Sequence, residues 1–200
     1  MHKENLQQAV PDIVQLTALT PGEREELTAL GMLSEEGLFQ SAQRFDRDPG
    51  YCAVGKQAIG APSVLNEACE YSPIPSAFSR GQRVDLGDFS LLFISGTASV
   101  DENGSTVHAG DFRAQCWRAY RNITALLQSA GGTWHDVVRC TCYLRDIERD
   151  YQDFNVVRNG FFRWLGLNPL PASVGVQARL CREDLLVEMD AFGVLKRERD

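Results

Sequence analysis

No CxxC pair occurs in this chain, although it carries six cysteines, Cys52, Cys69, Cys116, Cys140, Cys142 and Cys181. Its three histidines, His2, His108 and His135, also stand at no metal-binding spacing. A structural zinc site needs clustered thiolates and imidazoles, so neither a metal nor a cofactor is expected. No apolar run approaches the roughly 20 residues of a membrane span, and the start, MHKENLQQAV, lacks the apolar core of a secretory leader. The chain therefore reads as cytoplasmic, with no membrane partner. A basic excess is missing too: 20 Lys and Arg face 27 Asp and Glu, a formal charge of −7, and the cations are scattered. Tracking a phosphate backbone requires clustered cations, so nucleic acid is not an expected partner and a small molecule is. Internal repeats and low-complexity tracts are absent.

What is present is one domain's worth of ordinary globular sequence, 200 residues with 44% hydrophobic and 24% charged. Residues 1–70 differ from the rest and read as a helical, then irregular, appendage. Thr20-Pro21-Gly22-Glu23 combines an N-cap Thr, a Pro at the first helical position and a Glu at the third, which predicts a helix start. Ser34-Glu35-Glu36 predicts a second short helix, and the Gly-, Pro- and Asp-rich stretch from Asp46 to Pro62 a surface connection.

From Tyr71 onward the pattern is strand, strand, helix, strand, helix, strand, strand. A strand ends near Leu86, and Leu91–Ala98 forms the next. Phe112, Cys116, Ala119, Tyr120, Ile123, Leu126, Leu127 and Ala130 recur at helical spacing, with Asp111 as N-cap and Gly131-Gly132 as stop. Val137–Asp146 predicts a strand, placing Val138, Cys140, Cys142 and Leu144 on one side, and Asp150–Leu165 a helix. The last two runs, Ala172–Leu180 and Leu185–Val194, joined by Cys181–Asp184, predict an antiparallel hairpin. The fold class that follows is α+β, a two-layer sandwich with two long helices on one face of a mixed sheet.

Alternation along the last strand puts Leu186, Glu188, Asp190 and Phe192 on one face and Leu185, Val187, Met189 and Ala191 on the other. A carboxylate between Leu and Phe is partly desolvated, which raises its pKa toward neutrality and suits it to proton transfer. The same spacing also fits two carboxylates on a solvated sheet face. If that face is uncovered, association of several subunits would bury it and create clefts between chains.

FISGTASVDENG (Phe93–Gly104), the long helix with Gln115 and Asn122, VVRCTCYLRDIERDYQDFN (Val137–Asn155), PLPAS (Pro169–Ser173), ARL (Ala178–Leu180) and VEMDA (Val187–Ala191) together resemble the RidA (YjgF) family over residues 71–196. The resemblance implies a chorismate-mutase-like fold, a homotrimer with active sites between subunits, and hydrolysis of enamines or imines. By that resemblance Glu188 is the catalytic group, while Ser95, Gly96, Asn155, Phe78, Ala172, Ser173 and Asp190 fall at or beside substrate-binding positions. The matches are uneven. Ala172 stands where the family's deaminases carry an arginine that grips the substrate carboxylate, Phe78 where they carry a tyrosine, and Val174 where they carry a cysteine. Arg179 is a candidate replacement cation. A narrower resemblance, in SGTASV (Ser95–Val100), HAGD (His108–Asp111) and LCREDLLVEMD (Leu180–Asp190), is to the C-terminal half of chorismatases, which hydrolyse an enol ether, again with the acid at Glu188. Enamines and enol ethers are both electron-rich double bonds protonated at carbon, so one carboxyl of raised pKa serves either chemistry. The function expected is a cofactor-independent hydrolase or lyase acting on a small carboxylated metabolite, with ordinary enamine or imine deamination, or a non-catalytic ligand-binding or scaffold protein on the same fold, as alternatives.

Overall fold

The computed structural model of the chain describes residues 19–30, 32–35, 54–71, 73 and 75–196. They fall into two compact units, residues 1–52 and 53–200. In the first, helix α1 spans Pro21–Ala29, starting at the proline that the capping pattern marks. The short helix expected from Ser34 lies mostly outside the described residues.

The second unit is a six-stranded sheet with two long helices. Its strands are β1 (Gly55–Ile59), β2 (Gly81–Leu86), β3 (Phe89–Ala98), β4 (Val137–Leu144), β5 (Ala172–Gln177) and β6 (Val187–Lys196). Their order across the sheet is β1-β2-β3-β6-β4-β5, antiparallel throughout except for the parallel pair of β4 and β5. The α+β two-layer expectation holds.

Two expectations do not. The C-terminal hairpin is not formed: β5 pairs with β4, and β6 inserts between β3 and β4. Alternation told which side each residue faces, but it carries no information on which strand lies alongside. β6 is buried at every second residue from Val187 to Leu195 whereas β5 is largely exposed, as befits a central and an edge strand. The domain boundary near residue 70 also moves. β1 pairs with β2, and Ile59, Ala61, Leu65 and Ala68 are buried, so the body of the sheet domain begins near residue 53 rather than 71. The stretch read as a surface connection thus contains a strand, a short edge one with little apolar content.

The helices cover one face. Helix α2 (Phe112–Ser129) is capped by Asp111, whose side chain accepts from the Ala114 N–H, and α3 (Ile147–Trp164) by Asp146, which accepts from Arg149. Tyr120 stacks among Trp134, Phe161 and Phe162 at centroid distances of 5.5, 4.5 and 6.0 Å. Beneath them lie Leu92, Ile94, Cys140, Cys142, Leu144, Val187, Met189 and Ala191 from the central strands. The β4 alternation holds for Cys140, Cys142 and Leu144. It fails at Val138, which is exposed because the pairing of β4 with β6 slips between Val137 and Arg139 and turns Val137 inward instead.

Two buried polar side chains of α2 fix the strands relative to the helix. Asn122 donates through Nδ2 to the carbonyls of Ala98 and Val100 at the end of β3. Gln115 donates to the Asp184 carbonyl and accepts from the Leu186 N–H, holding the approach to β6. A buried amide left unpaired costs about 1–3 kcal/mol, so these bonds set where β3 and β6 run.

No helix among the described residues is long and apolar enough to cross a membrane.

Candidate active site

The open face of the sheet carries Glu188. Its neighbours in register are Ala98 on β3 and Tyr143 on β4. Just before Ala98, the ladder of β3 with β6 steps from Ile94 opposite Ala191 to Thr97 opposite Met189, so Ser95 and Gly96 together oppose the single residue Asp190. This is a β-bulge, which locally re-aims the strand. Glu188 fills the space that the bulge leaves: a Cβ added at Gly96 would lie 2.0 Å from its Oε1. A side chain at this position would push the carboxyl aside, whereas the backbone conformation at Gly96 does not itself call for glycine.

Ser95 is committed to structure. Its Oγ donates to the Ser79 carbonyl at 2.8 Å and its N–H to the Arg80 carbonyl at 3.0 Å, tying the segment before β2 against the bulge. Asp190 is likewise occupied, accepting the Thr141 N–H on Oδ1 and the Tyr143 hydroxyl on Oδ2, both at 3.0 Å. It holds β4 to β6 and presents negative charge to Glu188.

Desolvation by burial raises the Glu188 carboxyl above the usual carboxylate range, and the charge of Asp190 adds to this, while Arg80 opposes it. Desolvation dominates, as the alternation of Leu186, Glu188 and Phe192 led us to expect.

Arg80 was missed by the sequence reasoning. It is 2% exposed, donates through Nε to the Asn66 carbonyl and through Nη2 to Asn66 Oδ1, and lies 5.1 Å from the Tyr71 ring centroid and 5.9 Å from that of Phe78. The available signal was the strand-like spacing of Phe78 and Arg80 just ahead of β2. Its partner Asn66 is 14 residues away, in a segment assigned to the appendage, and local pattern could not connect them. Phe78 itself is partly exposed and packs edge-on against Tyr71 at 6.0 Å.

The remaining candidates form a second group. Ala172 and Ser173 lie on β5, opposite Arg139 and Cys140 of β4. Because Cys140 faces the helices, Ser173 does too, and Ala172 faces the open side. Ser173 Oγ accepts from Arg158 Nη1 at 3.3 Å, and Arg158 Nη2 donates to Asn155 Oδ1 at 2.5 Å. Asn155 and Ser173 are therefore joined through Arg158 on the helix side of the sheet, while Ser95, Gly96, Asp190 and Glu188 gather on the open side. One chain does not bring the two groups together. Arg179 is exposed in the segment after β5 and joins neither of them.

Among the described residues no cluster of three or more His, Cys, Asp or Glu is arranged to hold a metal ion. The buried thiols are unsuited to nucleophilic work near neutral pH: burial pushes Cys140 up to about 12 and Cys142 up to about 11 on β4, and raises Cys116 on α2 as well.

Comparison with known proteins adds a set of relatives. Residues 77–195 match the family model described as Endoribonuclease L-PSP. A RutC family protein of Pyrococcus abyssi is 33% identical over 111 residues, 56% of this chain and 82% of that protein. A protein of Acinetobacter baylyi, 3-aminoacrylate deaminase RutC, is 34% identical over 100 residues, 50% of this chain and 75% of its own. Among solved structures, the YjgF gene product of E. coli is 23% identical with a TM-score of 0.56, covering 69% of this chain and 98% of that one. RidA from an Antarctic Psychrobacter is 24% identical with a TM-score of 0.54, covering 70% and 99%. At such identities the structures speak to the fold alone. The resemblance to chorismatases has no counterpart among these matches.

Proposed function

Since the chain belongs to the Endoribonuclease L-PSP family, that of the RidA, YjgF and RutC proteins, we propose that it deaminates small carboxylated enamines or imines, with Glu188 as the general acid–base group. The observation that carries this reading is the Glu188 carboxyl, raised in pKa and seated in the bulge at Gly96 on the open face of the sheet. A relative named as a 3-aminoacrylate deaminase supports the substrate class.

The reaction needs Glu188 in its protonated form, which desolvation favours. An enamine is electron-rich at the carbon remote from nitrogen. Protonated Glu188 gives its proton to that carbon, forming an iminium ion and leaving a carboxylate. The carboxylate then takes a proton from water as the water oxygen bonds to the iminium carbon. Collapse of the resulting carbinolamine breaks the C–N bond and releases ammonia and an oxo acid. One water is consumed and the group returns to its starting state, so a single carboxyl suffices. Carboxylates at their ordinary pKa are ionised at neutral pH and have no proton to give.

The assembly we propose is a homotrimer. The open face exposes Phe89 and Phe93, each about half exposed at 48% and 46%, together with Val174 from the edge strand. Exposed apolar side chains on a sheet face favour association. Packing copies against that face would also let the Glu188 group of one copy meet the Asn155 and Ser173 group of the next. Light scattering at micromolar concentration tests it, with a monomer as the contrary result.

For the activity, 2-aminoacrylate and 3-aminoacrylate generated in situ are the substrates to assay, following ammonia release. Wild-type protein should accelerate hydrolysis of one of them. Glu188→Gln keeps the shape but cannot cycle a proton, so the rate should fall by roughly 10²-fold or more. Full turnover in that variant would refute the role given to Glu188.

A further inference from the structure

A cavity of about 640 Å³ lies on the helix side of the sheet, between α3 and the start of β5. It is lined by Tyr151, Arg158, Phe162, Arg163, Asn168 and Ser173 among others, and its lining includes two arginines but no Asp or Glu. That is unusual in a chain of formal charge −7. Neither arginine is ion-paired among the described residues, whose salt bridges involve Arg83, Arg113, Arg118 and Arg149; other arginines are likewise unpaired, so it is their place in a cleft without carboxylates that sets these two apart. A concave site with two uncompensated guanidinium groups focuses positive potential and attracts an anion.

Within it Arg158 is the oriented cation. Ser173 Oγ and Asn155 Oδ1 take one N–H each, and the guanidinium carbon stands 5.2 Å from the Phe154 ring centroid. A guanidinium has five N–H donors in a rigid fork, so three remain for a ligand, and the two bonds together with the ring restrict its rotation. Arg80 is the rival cation, but it is 2% exposed and has committed Nε and Nη2 to Asn66.

We propose that this cleft is the carboxylate-binding half of the substrate site, with Arg158 gripping the carboxylate from helix α3 while residue 172, an alanine, contributes no charge. The inference rests on the reading of the chain as acting on a carboxylated enamine or imine, and on the proposed homotrimer, in which this cleft of one copy meets Glu188 of the next. It assigns a residue to a task that Ala172 cannot perform and that neither Ser173 nor Asn155 can perform without charge. Ser173 and Asn155 are then positioning residues: they hold the guanidinium rather than the ligand.

Pyruvate, a short oxo acid, and pyruvamide, its uncharged amide, are suitable probes, titrated calorimetrically into the full chain. Wild type should bind pyruvate at least tenfold more tightly than pyruvamide. Arg158→Gln should weaken pyruvate by roughly 10- to 100-fold, the scale of a charge-assisted pair, and leave pyruvamide unchanged. Arg158→Lys keeps the charge but not the fork and should fall between; it also serves if the Gln variant does not fold. In turnover, Arg158→Gln should raise KM with little change in kcat. Pyruvate binding that is indifferent to both substitutions, or no preference for pyruvate over pyruvamide, would overturn the proposal. Glu188→Gln should still bind pyruvate, so an active enzyme that depends on Glu188 but not on Arg158 fails this inference alone. Loss of neither activity nor binding in Glu188→Gln fails the functional reading instead.

Discussion

The two faces of the sheet subject ionisable groups to the same force with opposite results. On the helix-covered face, desolvation carries the thiols of Cys140 and Cys142, already weakly acidic, up to about 12 and about 11, out of range of reaction at neutral pH. On the open face, desolvation lifts Glu188 from an ordinary carboxylate value toward neutrality. Burial silences a group whose unperturbed pKa is above the working pH and activates one whose pKa is below it. A single strand, β6, supplies both environments, with Val187, Met189 and Ala191 inward and Glu188 and Asp190 outward.

The contrast between faces can be tested at four points. The largest effect should come from the covered face: Phe154 is 0% exposed in the core, and Phe154→Ala should cost about 3–5 kcal/mol in urea unfolding. Phe93, 46% exposed on the open face with Phe192 at 5.0 Å, should cost only about 1 kcal/mol when changed to Ala, and the loss should appear mainly in assembly. Equal costs would erase the distinction.

Glu188→Gln comes next in size, read as stability against pH. The folded pKa of Glu188 is raised above its unfolded value, so folding favours the protonated form. That contribution is complete below the unfolded pKa, near about 4.3, and is lost as pH rises through the folded value. The glutamine variant never ionises. Its melting temperature relative to wild type should therefore climb from about pH 4 upward and level off once wild-type Glu188 is fully ionised. A difference that is constant with pH would mean that Glu188 is not desolvated.

Gly96→Ala should act more locally. The new methyl collides with Glu188 Oε1 and must displace the carboxyl, so deamination should drop by about tenfold, as for a misplaced catalytic group, with the circular dichroism spectrum unchanged. The smallest effect belongs to the cysteines. Cys69 and Cys181 are exposed and should react with iodoacetamide in the native state, while Cys116, Cys140 and Cys142 should not; Cys140→Ala should leave turnover as it was.

How much of this was legible in the sequence depended on range. Helix α2 with its Asp111 cap, and the sidedness of β6, rest on periodicities of 3.6 and 2 and could be read directly. The raised pKa of Glu188 followed from its flanking Leu186 and Phe192. Strand partnership could not be read, because period 2 is silent on which neighbour a strand takes, and so β5 and β6 were joined as a hairpin when β4 separates them. β1 escaped notice for the reason that edge strands often do, since four of its five residues are exposed and show no alternation. The site suffered in the same way. Arg158 meets Ser173 across 15 residues and Arg80 meets Asn66 across 14, and Asn155 and Ser173 share a cluster that no spacing rule links to Glu188.

The central position of β6 has a consequence for biogenesis. Of the six strands it is the last to be made, yet it separates β3 from β4. During translation, at roughly 5–20 residues per second, β3 and β4 emerge with unpaired edges and cannot be bridged until β6 follows. The nascent chain must therefore linger with two sticky strand borders while α2 and α3 collapse onto a half-built sheet. Long-range closure of this sort slows folding, and it makes the interval before β6 arrives the time when the polypeptide most needs protection from its neighbours on the polysome.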